Sequence, residues 1–194
     1  MCSKKLIAIT GGIGSGKSVV TKVLREMGHE VYDCDHHAKR LINTSPIIRQ
    51  RLITRFGEDI YASDGFINKA LLSSIIFNNP DALAAVNGIV HPLVKADLIG
   101  WHLSCPACHN FVETAILVES GMHTMVDEVW NVTAPVETRI TRVMNRNATT
   151  REKVLERINS QSTSMSEVSV PVKTIINDGI TAILPQIVAL LGSF

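Results

Sequence analysis

Five short apolar runs alternate with longer stretches in which apolar residues recur at helical spacing. The runs lie at residues 6–10, 29–32, 110–117, 126–133 and 172–176. Apolar runs of this length, bounded by glycine or polar residues, are typical of strands buried in a parallel sheet. Strands that alternate with helical stretches predict an α/β fold.

The start of the chain gives the clearest local prediction. A strand at 6–10 leads into a glycine-rich turn at 11–16, a helical pattern at 17–27 and a second strand at 29–32. A strand–helix–strand unit implies parallel strands that are joined by a right-handed crossover.

The remaining segments are mostly helical in pattern. Residues 38–103 predict several helices, with breaks at 43–46, 63–65, 78–80 and 91–92. Further helices are expected at 135–144 and 180–191, and the polar segment 145–169 is typical of a solvated helical flap. No internal repeat or low-complexity linker divides the chain, so we expect a single domain.

Residues 11–18, Gly-Gly-Ile-Gly-Ser-Gly-Lys-Ser, satisfy the P-loop pattern G-x-x-x-x-G-K-[ST] in the strand-to-helix context that it requires. The glycines let backbone N–H groups turn towards phosphate oxygens, and the following helix adds the positive end of its dipole. Lys17 supplies a cation for the β- and γ-phosphates, and Ser18 supplies a hydroxyl ligand for Mg²⁺. The predicted nucleotide-binding residues are Gly12, Ile13, Gly14, Ser15, Gly16, Lys17, Ser18 and Val19.

Two carboxylates, Asp33 and Asp35, follow the second predicted strand. Ligands gather at the carboxyl ends of parallel strands, and residues two apart on an extended backbone lie on one side. One or both carboxylates would then accept a proton from an attacking hydroxyl or hold water around Mg²⁺. The alternative is that the pair caps the next helix. The sequence leaves both open.

Several arginines lie in the polar segment or on the helix before it, namely Arg139, Arg142, Arg146, Arg151 and Arg157. In phosphoryl transfer the charge of the moving group spreads over its oxygens, and arginines on a closing flap stabilise that charge. Arg146 and Arg151 flank a candidate hinge at 147–150. Arg139 and Arg142 are equally consistent with ordinary surface positions on a helix.

Composition and charge exclude several classes of partner. The 194 residues are 45% hydrophobic, and 19 Lys and Arg against 18 Asp and Glu give a formal net charge of +1. Such a balance creates no field that gathers nucleic acid or acidic membrane. No apolar stretch approaches the roughly 20 residues of a membrane helix, and the first apolar run is too short for a signal peptide. We expect a cytoplasmic protein without nucleic-acid or membrane partners; its oligomeric state is not predicted.

The four cysteines, Cys2, Cys34, Cys105 and Cys108, are expected to be free thiols. The run Cys-Pro-Ala-Cys-His at 105–109 matches the haem-attachment pattern, and Cys-x-x-Cys also suggests redox chemistry or half of a zinc site. Haem attachment requires export, and a structural zinc requires a second pair of ligands that the sequence does not show. A weak metal site remains the alternative.

With these features in place, the chain resembles the dephospho-coenzyme A kinase family over nearly its whole length. Residues 10–18 look like that family's version of the P-loop, and 33–39, Asp-Cys-Asp-His-His-Ala-Lys, are similar to its Asp-x-Asp-x-x-Ala-Arg. Four further motifs match: its His-Pro pair at 91–92, a Pro-Leu-Leu-Phe-Glu stretch echoed at 115–119, Arg-Ile-x-x-Gln at 157–161, and a final Ile-x-Asn-x-Gly turn that contains Asn177.

The resemblance implies transfer of the ATP γ-phosphate to the ribose 3′-hydroxyl of dephospho-coenzyme A. It also implies a P-loop fold with a five-stranded parallel core (about 1–40, 108–140 and 170–194), a helical acceptor-binding region (about 41–107) and a lid (about 141–169). Asp35 matches the family's general base, Arg146 falls near its transition-state arginine, and Asn177 would lie against adenine. Arg142 is assigned with Asn177 to nucleotide binding.

The acceptor-binding residues implied are Asp33, Asp35, Lys39, Arg40, His91 and Glu113. Lys39 replaces the family arginine and supplies charge without its bidentate fork, although the adjacent Arg40 could substitute. His91 is open to a second interpretation as a helix-end or core residue. Glu113 would reach Mg²⁺ through water or would simply be a charge at a strand end.

Two rival functions remain at this stage. A nucleoside or nucleotide kinase would use the same architecture with another acceptor. A GTP-dependent switch is less consistent with the chain, because the Asn-Lys-x-Asp base-reading motif common in such proteins is not found.

Overall fold

The computed structural model describes residues 4–77, 79–161 and 165–193. Within them the chain forms a five-stranded sheet in the order β2-β3-β1-β4-β5. Its pairings of β1 with β3 and β4, and of β4 with β5, are parallel, which confirms the predicted α/β class. The strands are β1 (Lys5–Thr10), β2 (Val31–Asp33), β3 (His109–Glu113), β4 (Glu128–Thr133) and β5 (Val172–Ile176).

The helices flank this sheet or fill the long segment between β2 and β3. They are α1 (Lys17–Glu26), α2 (Cys34–Thr44), α3 (Pro46–Phe56), α4 (Lys69–Ile76), α5 (Pro80–Ser104), α6 (Val136–Asn147), α7 (Arg151–Ser160) and α8 (Ile183–Leu191). Short 3₁₀ helices lie at Glu58–Ile60 and Met122–Met125. The predicted break at 43–46 is confirmed, because Ser45 caps α3 through its side chain and Pro46 occupies the first turn, where its missing N–H costs nothing.

The chain divides into two compact units. The sheet unit comprises Met1–Tyr32 and Cys105–Phe194, and the helical unit comprises Asp33–Ser104. The sheet unit is built on an apolar core in which β1, β3, β4 and β5 pack against α1 and α8; its fully buried members are Ile7, Ile9, Val20, Leu24, Phe111, Trp130, Val132, Ile175 and Ile187. This rigid core fixes the carboxyl ends of four parallel strands at one edge.

Helix α5 is the core helix of the helical unit. It contacts α2, α3 and α4. Its buried residues recur every four positions and therefore form one face: Ala82, Val86, Val90, Val94 and Leu98. Among the described residues α5 alone is long and apolar enough to span a membrane, contrary to the sequence-based expectation that no stretch approaches that length. The criterion rests on length and composition alone, and core helices of soluble proteins can also meet it.

Two predicted boundaries are wrong. The break predicted at 91–92 does not occur, because α5 continues through Pro92. The ring of a helical proline meets the carbonyl four residues earlier, and that residue is the conformationally permissive Gly88. Strand β3 ends at Glu113 rather than at 117, since the Thr114 hydroxyl accepts a hydrogen bond from the Ile116 N–H (3.2 Å) and turns the chain. Of the break at 78–80, Asn78 lies outside the described residues.

We expect Trp130→Phe to lower the free energy of unfolding of the protein measurably. Trp130 is fully buried, and its Nε1 donates to Oε1 of the buried Glu128 (2.7 Å). The substitution leaves that carboxylate oxygen without its donor, which costs about 1–3 kcal/mol. Urea denaturation of the variant measures the loss. The double variant Glu128→Met/Trp130→Phe removes both polar partners and should recover part of it; a double variant that is less stable than Trp130→Phe would contradict the assignment.

Candidate active site

The P-loop lies between the carboxyl end of β1 and the first residue of α1. Gly14 and Gly16 have φ of 77° and 94°, in the left-handed region that favours glycine. The Ser15 N–H donates to the Gly12 carbonyl (3.0 Å), and Lys17 Nζ donates to the Gly11 carbonyl (2.8 Å). The buried Ser15 Oγ has no hydrogen-bond partner among the described residues. The loop thus has the folded form that turns successive amides towards an anion.

Side chains from α6 and from the residue that follows β5 pack directly behind this loop. A Cβ on Gly16 would overlap Nδ2 of Asn177, and a Cβ on Gly12 would overlap the guanidinium of Arg139. A Cβ on Gly14 would lie 2.6 Å from the Arg139 carbonyl oxygen. At Gly14, glycine is therefore needed both for its backbone conformation and for the close approach of the Arg139 backbone. At Gly12 and Gly16 the overlapping groups belong to side chains.

Arg142 and Asn177, which the sequence assigns to nucleotide binding, lie together against the P-loop. Asn177 follows β5 directly, and its Nδ2 donates to the Ser15 carbonyl (2.8 Å). From α6, Arg142 donates through Nη2 to Asn177 Oδ1 (3.2 Å) and through Nη1 to the Asn177 carbonyl (3.0 Å). The backbone N–H of Asn177 also donates to the Thr133 carbonyl at the end of β4 (2.8 Å). The network ties two strand ends and α6 to one loop.

The other arginines occupy different environments. Arg139, half-buried on α6, donates through Nε to the Ile13 carbonyl (2.8 Å), and burial lowers the pKa of its guanidinium. Arg151 forms a bidentate pair with Glu137 (2.7 Å for both bonds), and these hydrogen bonds lower the pKa of Glu137. Arg146 is exposed in the last turn of α6, where its Nε donates to the Oδ1 of Asn147 (3.1 Å). Arg157 is exposed on α7.

Glu113 and Ser18 lie at the same end of the sheet unit. Glu113 is the last residue of β3, and its Oε2 accepts a hydrogen bond from Thr21 Oγ1 on α1 (2.9 Å). Ser18 is exposed in the first turn of α1. An exposed hydroxyl and a carboxylate, both oxygen ligands, suit Mg²⁺, which binds few protein groups directly and keeps several waters.

In the helical unit, the interpretation of Asp33 and Asp35 as two residues on one side of a strand is wrong. Asp33 ends β2 and is the N-cap of α2, where its Oδ1 accepts from the His36 N–H (3.0 Å). Asp35 is already helical and is exposed in the first turn. The capping alternative therefore holds for Asp33, and the Asp35 carboxylate is left accessible.

Asp97 organises the basic residues of the helical unit. Arg40 Nη2 donates to Oδ1 (2.7 Å) and Oδ2 (2.8 Å) of Asp97, and His37 Nδ1 lies 3.0 Å from Oδ2. Lys39 is exposed on α2. Because Asp97 balances the charge of Arg40, Arg40 is a weaker candidate to replace the family arginine than the sequence indicates.

His91 lies in the middle of α5 and is half-buried. Burial and, secondarily, the charge of Lys95 lower the pKa of its imidazole. The interpretation of His91 as a helix-end cap is wrong, since the helix continues for thirteen residues to Ser104. A neutral imidazole at this position can either accept or donate a hydrogen bond.

Cys34, Cys105 and Cys108 are free thiols, and Cys2 lies outside the described residues. No group of three or more His, Cys, Asp or Glu side chains that would hold a metal ion occurs in the part of the chain that the structure describes.

Sequence reasoning missed one residue that contacts the P-loop. Gln161, directly after α7, accepts a hydrogen bond from the Ile13 N–H through Oε1 (2.7 Å) and donates through Nε2 to the Ala115 carbonyl (2.9 Å). The Arg-Ile-x-x-Gln motif at 157–161, which ends at Gln161, was the signal that could have found it.

Comparison with known proteins gives one consistent result. The dephospho-CoA kinase family profile matches residues 5–182. The chain is 40% identical over 188 residues to the dephospho-CoA kinase of Bacteroides fragilis (96% of this chain, 91% of the relative). It is 39% identical over 186 residues to that of Porphyromonas gingivalis (95% and 92%).

Solved structures share the fold. The crystal structure of TT1252 from Thermus thermophilus superposes with a TM-score of 0.80 at 29% identity and covers 99% of this chain and 98% of that one. Dephospho-CoA kinase from Campylobacter jejuni gives 0.69 at 20% identity (97% and 96%), and shikimate kinase from Acinetobacter baumannii gives 0.57 at 16% (99% and 95%). The last two support the fold, and the family profile and the relatives go further: this chain belongs to the dephospho-CoA kinase family.

Proposed function

We propose that the chain transfers the γ-phosphate of ATP to the ribose 3′-hydroxyl of dephospho-coenzyme A, which yields coenzyme A and ADP in the last step of coenzyme A biosynthesis. The observation that carries this proposal is the match of the family to almost the whole chain, including an intact P-loop at residues 11–18. We also propose that the protein acts in the cytoplasm, without nucleic-acid or membrane partners.

The P-loop is the triphosphate site in this proposal. Its amide N–H groups, which carry partial positive charge, and the Lys17 ammonium hold the β- and γ-phosphates at the amino end of α1. In the structure Lys17 Nζ donates to the Gly11 carbonyl, which keeps the ammonium over the loop. Arg142 and Asn177 pack against the Ser15 carbonyl and are assigned to the nucleotide's adenosine side.

Magnesium is the proposed metal. Ser18 would ligate it directly, and Glu113 would hold one of its waters. When bound, Mg²⁺ neutralises charge on the β- and γ-phosphates. Thr21 keeps the Glu113 carboxylate in a fixed orientation through the 2.9 Å hydrogen bond.

Asp35 is the proposed general base for the acceptor hydroxyl. It is exposed, and Asp33 meets the capping requirement of α2. The proposed acceptor-binding residues of the same unit are Lys39, Arg40 and His91. The salt bridge to Asp97 partly neutralises the charge of Arg40. The guanidinium of Arg146 would stabilise the negative charge on the oxygens of the transferring phosphoryl group. The hydrogen bond that the structure describes for its side chain goes to the neutral side chain of Asn147.

The test is a coupled assay of ADP release with ATP, Mg²⁺ and one acceptor at a time. Dephospho-coenzyme A, adenosine and a nucleoside monophosphate are compared at equal concentrations, with a reaction that lacks any acceptor. We expect ADP release only with dephospho-coenzyme A, and phosphate at the 3′-position of the product by mass spectrometry and NMR. Release with a nucleoside alone would support the rival nucleoside kinase, and equal release without an acceptor would support a nucleotide-hydrolysing switch.

A further inference from the structure

One P-loop residue, Ile13, is held by side chains from the segment that follows β4. Its carbonyl accepts a hydrogen bond from Arg139 Nε (2.8 Å), and its N–H donates to Gln161 Oε1 (2.7 Å). Both polar groups of one residue in the phosphate-binding loop are thereby engaged from outside the loop. Arg139 lies on α6, whereas Gln161 directly follows α7.

The Ile13 side chain is anchored in the same segment. It packs against a buried cluster formed by Ile140 and Val143 of α6 and Val154 of α7. The P-loop is therefore attached to the α6–α7 pair through one apolar contact and two hydrogen bonds, all at one residue. Attachment at several points removes the rotational freedom that a loop of glycines otherwise keeps.

Gln161 extends this attachment to the sheet. Its Nε2 donates to the carbonyl of Ala115, two residues beyond β3, while its Oε1 accepts from Ile13. While Gln161 accepts the Ile13 N–H, that N–H is not available to a phosphate oxygen. Phosphate binding is then left to the amides that follow Ile13 in the loop, at the amino end of α1.

Arg139 adds a charge at close range. Its guanidinium occupies the space that a side chain on Gly12 would need, and its Nη2 is buried without a hydrogen-bond partner among the described residues. A half-buried cation beside the loop is screened less by water than a surface cation, so it favours a bound polyanion.

From these contacts we propose that Arg139 and Gln161 are positioning residues that fix Ile13 and thereby hold the P-loop in its phosphate-binding form, with the α6–α7 pair as the support. The proposal deepens the proposed ATP-dependent reaction and rests on it only for the kinetic part of the test. Neither side chain is proposed to act on the reacting atoms.

The test compares Arg139→Met, Gln161→Leu and the double variant with the wild-type protein. Leucine matches glutamine in size but forms no hydrogen bond. We expect each single variant to raise the Kd of Mg·ADP, measured by calorimetry, and the KM of ATP by about tenfold, as expected for loss of one hydrogen bond that orders a charged-ligand site. The KM of dephospho-coenzyme A should stay within twofold of wild type.

The double variant separates positioning from independent contacts. Because both side chains hold one residue, removal of the second should add little, and the double variant should resemble the weaker-binding single variant. Lys153→Met and Glu156→Gln change exposed residues of α7 and serve as controls that should bind Mg·ADP as wild type does.

Three outcomes would overturn the inference: unchanged Kd for Mg·ADP in both single variants, a double variant whose effect is the full product of the singles, or a lower Tm with no change in Kd. If Arg139→Met fails to fold, Gln161→Leu decides alone. The calorimetric measurement needs no acceptor. If the wild-type protein does not phosphorylate dephospho-coenzyme A, the proposed function is wrong. The Kd of Mg·ADP in the variants still tests the present inference.

Discussion

Replacement of Asp35 by asparagine is expected to lower kcat by about 10²–10⁴, the usual contribution of a general base. Asparagine is close to aspartate in size but cannot accept the proton of the acceptor hydroxyl. Asp35 is exposed in the first turn of α2, and no described contact requires its charge for folding. The Tm and the KM of ATP should therefore stay near their wild-type values. Steady-state kinetics with each substrate varied, and a thermal unfolding curve, measure all three.

Asp33→Asn is the matched control for this prediction. Asp33 is two residues away, and its Oδ1 caps α2 by accepting from the His36 N–H (3.0 Å). Asparagine caps helices about as well as aspartate, so the fold should be preserved. We expect its kcat to fall far less than that of Asp35→Asn. Equal losses in the two variants would mean that the negative charge of the pair matters and that Asp35 is not a specific base.

The residue pattern alone could not predict that Asp33 caps α2 while Asp35 is exposed in the first turn of that helix. Their spacing fitted a strand, where both would lie on one side, and the strand in fact ends at Asp33. A capping residue needs only a short polar side chain before a helix, and both aspartates met that requirement. Asp33 rather than Asp35 is the capping residue because β2 ends at Asp33 and α2 begins at the next residue. The position of such a boundary depends on tertiary packing.

The fold was predictable where local signals agreed. The five strands were expected because each apolar run is short and bounded, and the P-loop fixed the first strand–helix pair. The break predicted at 91–92 does not occur, because at this position the local signal and the tertiary packing disagree. There the local preference of proline was overruled by the buried face of α5, in which Val86, Val90 and Val94 pack as one continuous stripe.

The candidate site was predictable only in part, because long-range contacts carry no periodic signal. The motif located the P-loop, and Arg142 and Asn177 were both assigned to nucleotide binding, but the pattern gave Arg139 no preference over surface residues. Arg139 donates to the Ile13 carbonyl in the P-loop across 126 positions of sequence. Gln161 reaches the loop across 148 positions.

Gly16→Ala is expected to reduce kcat/KM for ATP by about 10³. With a φ of 94°, an alanine at this position is strained by about 1–2 kcal/mol, a factor of roughly 5–30. Its Cβ would also overlap Nδ2 of Asn177, so either the loop or Asn177 has to move. A displacement of about 1 Å in a phosphoryl-transfer site costs about a further 10². Steady-state kinetics and Mg·ADP calorimetry measure the loss.

Gly28→Ala is a control for backbone strain outside the P-loop, because Gly28 has a similar φ of 87° and no atom within 4 Å of the added Cβ. It carries the backbone strain without the overlap and without contact with the loop. We expect it to lower Tm by about 2–8 °C and to leave kcat/KM unchanged. Removal of the overlap in Gly16→Ala/Asn177→Ala should not restore activity, since Asn177 Nδ2 itself holds the Ser15 carbonyl. Wild-type kinetics in Gly16→Ala would show that the loop tolerates a side chain there, and the close packing of Asn177 behind the P-loop would then have no role in nucleotide binding.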